Sequence, residues 1–88
     1  MITQEKLKLF VHYRGDLDMW SRTGKEHERN FMASSDWHLI DLLLQDANVI
    51  ARGLGSKERT ELAWERLRQN CESEQVIEEI FRVSESGI

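Results

Sequence analysis

The sequence contains no proline, a single cysteine (Cys71), and no uninterrupted apolar run long enough to cross a bilayer. Each absence excludes something. Proline in a helix interior costs about 3 kcal/mol and marks turns elsewhere, so only glycine is left to interrupt helices here. One cysteine cannot close an intramolecular disulfide, which excludes a disulfide scaffold and suits a reducing compartment. A spanning helix needs about 20 predominantly apolar residues, and no basic segment leads into an apolar run near Met1. The expected location is the cytoplasm, with no membrane partner.

What is present fits a small packed domain. Eighty-eight residues allow one core, and three tryptophans, three phenylalanines and many leucines and isoleucines can fill it. The formal charge of −4 is mild but unevenly placed. Glu72, Glu74, Glu78, Glu79 and Glu85 face only Arg82 in the last segment, which would repel a nucleic-acid polymer there.

The apolar spacing is helical. From a Thr3 N-cap, Phe10, Tyr13, Leu17 and Trp20 align along one side of a helix that Gly24 ends. The segment KEHERNFMASS reads as a connection that drops Phe31 and Met32 onto the core. Ser34 or Ser35 then caps the strongest element, with Trp37, Ile40, Leu44, Ala47, Ile50 and Ala51 facing inward and Gly53 stopping it. Leu54 can fold back on Ile50 after that glycine. Ser56 caps a helix whose inner face is Thr60, Ala63, Trp64, Leu67 and Cys71; Ser73 starts a last helix with Val76, Ile77, Ile80 and Phe81 inside. The tail, residues 84–88, is expected to fray. No window alternates apolar and polar residues for long, and hairpin dipeptides such as Asn-Gly are missing, so a strand reading fails. The fold class is all-α: a single domain over residues 1–88, a small antiparallel bundle of about four helices, with Trp20, Trp37 and Trp64 meeting near its centre.

Gly15 is the awkward residue. In an unbroken helix it lies on the back with Val11 and Met19, where glycine costs about 1 kcal/mol relative to alanine. Either something packs closely against Val11, Gly15 and Met19, or the helix breaks and Asp16 caps a second piece. The central helix raises a related issue: Leu39, Leu42, Leu43 and Val49 widen its apolar arc until only His38, Asp41, Gln45, Asn48 and Arg52 remain as a polar stripe. Such a helix either sits at the centre of the monomer or meets a second subunit. Val11, Gly15, Met19, Leu39, Leu42 and Val49 are therefore the candidate interface.

Other motifs are weak. The RGD of Arg14–Asp16 lacks an export signal and a clear loop, and Arg14, Asp18 and Arg22 form an ordinary i, i+4 ladder. His12, His27 and His38 stand at metal-compatible spacings from nearby aspartates, yet Glu-x-x-His pairs, HExxH and CxxC are missing. Cys71 reads as a buried small hydrophobe, and no nucleophile elbow or phosphate loop occurs. Neither catalysis, a cofactor nor a metal is expected. Residues 47–68 look like a helix-turn-helix, but Glu58, Glu61 and Glu65 offset Lys57, Arg59, Arg66 and Arg68, making nucleic acid an unlikely partner. Two readings of partnership follow. The leading one is a regulatory or interaction protein that binds another protein or itself as a homodimer; the alternative is an acidic inhibitor, of the immunity-protein or antitoxin kind, whose glutamates meet a basic target.

Overall fold

Trp37 lies at the junction where three ring systems converge. Its ring is 4.7 Å from Phe10, 6.4 Å from Tyr13 and 5.2 Å from Trp20, the last in a near-parallel stack at 26°. Offset and tilted pairs at these separations add attraction beyond the area they bury.

The computed structural model describes residues 1–87. Among them the chain forms six helices: α1 (Gln4–His12), α2 (Leu17–Thr23), α3 (Glu26–Phe31), α4 (Ser34–Arg52), α5 (Lys57–Asn70) and α6 (Glu74–Glu85). The fold is all-helical, as the periodicity requires, but with more and shorter elements than a plain four-helix bundle. Helix α4 runs through the middle, packed against α1, α5 and α6.

Of the two readings of Gly15, the break is the one the chain adopts, and no single helix runs from Thr3 to Gly24. Helix α1 starts as foreseen, with Thr3 Oγ1 accepting from the Lys6 N–H at 3.2 Å. It then stops at His12, because Arg14 and Gly15 take left-handed φ angles of 57° and 75°. Asp16 restarts the chain by accepting from the Met19 N–H at 2.9 Å. An N-cap of this type is worth about 1 kcal/mol, comparable to what glycine costs inside a helix, so local energetics favour the break. The bend lets Trp20 reach Trp37 while Phe10 occupies the same ring's other surroundings.

The connection after Gly24 contains α3, which buries none of its own residues. Met32 behind it is fully buried, whereas Phe31 stays exposed with the Lys6 ammonium 5.9 Å from its ring. Helix α4 begins at Ser34 with neither serine as its cap. Asp36 instead accepts from the Ala33 N–H at 3.2 Å and pairs with Lys6 at 3.1 Å. Its inward face is Trp37, Ile40, Leu43, Asp46 and Ala47; Leu44 and Ile50 are half-buried against the core and Ala51 is exposed. The shift follows from α5 and α6 lying on two sides of one helix.

Gly53 closes α4 in the left-handed conformation, φ 63°, and the Leu54 N–H returns to the Val49 carbonyl at 3.0 Å. Leu54 itself does not settle into the core, being 60% exposed. Ser56 caps α5 through the Arg59 N–H at 3.1 Å. Trp64 leaves the other two tryptophans and pairs with Phe81 of α6, ring centroids 5.5 Å apart. Its position on the α6 flank of α5 dictates that partner. Helix α6 continues through Glu85, Val83 is buried, and Ser86 Oγ donates to the Val83 carbonyl at 2.8 Å. Ile88 lies outside the described residues.

One long-range tie has no helical origin. Ile2 is fully buried, its N–H donates to the Asn70 carbonyl at 2.7 Å, and its carbonyl accepts from the Glu72 N–H at 2.9 Å. This pairing with Cys71 staples the N-terminal residues to the α5–α6 junction.

Candidate functional site

Asp46 organises the outer side of the α4–α5 hairpin. Its carboxylate is fully buried, and three guanidinium nitrogens donate to it. Arg66 Nη2 reaches Oδ1 at 2.7 Å and Nε reaches Oδ2 at 3.0 Å; Arg59 Nη2 reaches Oδ1 at 2.9 Å. The forked geometry of arginine matches a carboxylate, and a buried charge needs such partners to be tolerated. Each arginine keeps roughly a third of its side chain in solvent, 32% for Arg59 and 28% for Arg66. Arg59 Nη1 is buried without a hydrogen-bond acceptor.

The candidate interface residues separate into two groups. Val11, Met19 and Leu39 pack against the rim of the core, and Gly15 serves the bend between α1 and α2. Leu42 and Val49 are only half-buried and stand apart from the core cluster. The alternative of close packing on Val11, Gly15 and Met19 gives way to a helix break that needs left-handed backbone. On α4, Leu42, Asp46 and Val49 follow one another at helical spacing along one side; on α5, Arg59, Leu62 and Arg66 do the same. The ion pairs of Asp46 join the two stripes into one face, where Leu62 is 44% exposed. At its turn end, Leu54 adds a second large exposed apolar side chain.

Sequence reasoning missed Asp46, Arg59 and Arg66 as a unit. A signal existed: Asp46 falls on the apolar arc beside Leu43 and Ala47, and the two arginines are a heptad apart on the following helix.

The remaining chemistry is sparse. His12, His27 and His38 are all exposed, and among the described residues no three His, Cys, Asp or Glu side chains gather in metal-binding range. Burial pushes the Cys71 thiol up to about 11, so its nucleophilic thiolate is scarce at neutral pH. A shallow groove of about 240 Å³ between α4 and α6 is lined by Asp41, Leu44, Gln45, Asn48, Val83 and Ser84. Glu72, Glu74, Glu78 and Glu85 project outward near or along α6, opposite its buried stripe. No described helix is long and apolar enough to cross a membrane. No protein-family model, curated protein or solved structure matches the chain.

Proposed function

We propose that this chain is a small non-catalytic interaction protein that acts as a homodimer through the outer face of α4 and α5. The observation that carries this reading is the placement of Leu42, Val49 and Leu62 outside the core, beside charges already paired with one another. Asp46 offsets one of the two guanidinium charges on this face and holds both arginines within the chain, so a single net positive charge stands beside its apolar residues. A second copy can cover such a face, since a two-fold contact requires only self-complementarity.

Light scattering coupled to size-exclusion chromatography over a wide concentration range tests the reading. A concentration-dependent dimer is expected, and Leu42→Glu or Leu62→Glu should weaken it at least about tenfold while leaving the monomer folded. A persistent monomer at every concentration overturns it.

The acidic-inhibitor alternative draws support from the outward glutamates of the last segment, and predicts a salt-sensitive complex with a basic protein. The helix-turn-helix alternative has less support: Arg59 and Arg66, which would have to meet phosphates, are engaged by Asp46.

A further inference from the structure

The residues joining α1 to α2 carry two incompatible instructions. By spacing, Leu7, Phe10, Tyr13, Leu17 and Trp20 follow a helical register straight through Gly15. In the structure, Arg14 and Gly15 turn left-handed at φ 57° and 75° and the register is cut. Arg14 is the only described non-glycine residue with a positive φ, a region that side chains with a Cβ resist. Among the described residues its guanidinium also forms no ion pair with Asp18, although the i, i+4 spacing provides one in a continuous helix.

Contacts on both flanks hold the bend: after it Trp20 stacks on Trp37, and just before it the Tyr13 hydroxyl donates to Glu28 of α3. Also before the bend, α1 packs on α4 and α6, with Ile2 tied to the α5–α6 junction. Residues 13–16 are the covalent link between α1 and the helices that follow it.

We propose that this hinge also straightens, fusing α1 and α2 into one helix over residues 4–23, and that two copies then exchange their α1 segments. Ile2, Leu7 and Phe10 of each copy fill the slot vacated in the other, against Trp37 and the Asn70–Glu72 backbone. Trp20 stays on its own subunit. Because contacts outside the hinge are the same in both forms, the balance between them is set by the hinge residues and by protein concentration. Exchange uses the α1 slot rather than the outer face of α4 and α5, so it stands independently of the homodimer contact proposed above.

Two substitutions at adjacent positions push in opposite directions. Gly15→Ala opposes the left-handed backbone of the bent form and favours the continuous helix, and with two hinges in each exchanged dimer it should lower the dissociation constant at least about thirtyfold. Arg14→Gly relieves the bent form and burdens the continuous helix, and should raise that constant by about the same factor. Light scattering gives the populations, and ¹³Cα shifts of residues 14 and 15 report whether the dimer has helical or left-handed backbone there. The expected result is opposite movement of the two variants, with helical shifts in the Gly15→Ala dimer. Movement in the same direction, no movement in either, or a dimer that keeps left-handed shifts overturns the proposal. Should Gly15→Ala misfold, Arg14→Gly alone decides, since an association constant equal to that of the unaltered chain also overturns it. Leu42→Glu separates the two readings: it weakens a contact through the α4–α5 face and leaves the response to the hinge variants intact.

Discussion

Arg66 grips Asp46 with two nitrogens, Nη2 on Oδ1 at 2.7 Å and Nε on Oδ2 at 3.0 Å, linking α5 to a carboxylate sealed beneath it on α4. Such a pair need not stabilise more than apolar residues of the same volume would. Removing one partner is another matter, because the other charge stays behind unmatched.

Asp46→Ala should therefore cost about 3–5 kcal/mol, leaving Arg59 and Arg66 to repel each other across a cavity. Urea unfolding followed by circular dichroism measures it. A loss below about 1 kcal/mol, the range of exposed pairs, would show that the site is not desolvated.

Tyr13 and Glu28 set limits to the pH range in which α3 stays tied to α1. The hydrogen bond between them raises the Tyr13 pKa above 10.0, with burial acting in the same direction. The same bond, helped by the Lys25 N–H at 3.1 Å, lowers that of Glu28 below 4.5. The stabilisation from Glu28 is present above its unfolded value and lost as pH falls through the lower folded one. That from Tyr13 is complete below its unfolded value and lost as pH rises through the higher folded one. The stability gap between the unaltered chain and Tyr13→Phe should accordingly be flat from about pH 5 to pH 9 and close at both extremes. A gap that varies across that plateau would refute the assignment.

Ile2→Ala should cost about 2–5 kcal/mol, as for other fully enclosed aliphatic side chains. That is a large fraction of a typical net stability of about 5–15 kcal/mol. Thermal unfolding detects it, and Met1, which is 65% exposed, serves as the control position with little effect.

Gly53→Ala meets no neighbouring atom within 4 Å, so its cost is purely that of φ 63°. A loss of about 1 kcal/mol is expected, read as a fall in Tm of about 4–8 °C for a domain of this size.

The parts of this fold that were legible in the sequence are those fixed by local chemistry. Thr3 and Ser56 cap helices with their own side chains, Gly53 ends α4, and α6 buries Val76, Ile77 and Ile80 in the expected stripe. The bend at Gly15 was visible only as an alternative, because register and capping gave opposing instructions. The Asp46 cluster has no such local signal, since a carboxylate on an apolar arc acquires meaning only when a second helix supplies its cations. Trp64 parts from Trp20 and Trp37 for a similar reason: periodicity gives the inward direction of α5 but not which neighbour lies there. The pairing of Ile2 with Cys71 has no local signature at all.

That last pairing places a demand on the order of events during synthesis. Ile2 leaves the ribosome early, yet its hydrogen-bond partners at Asn70 and Glu72 are added only after most of the chain has been translated. Until they emerge, Ile2 lacks its hydrogen-bond partners even though Phe10 can already meet Trp37, and closing so long a loop is the slow, entropically costly kind of contact. The nascent chain is thus most vulnerable to capture by chaperones or proteases in the interval before Asn70 and Glu72 appear.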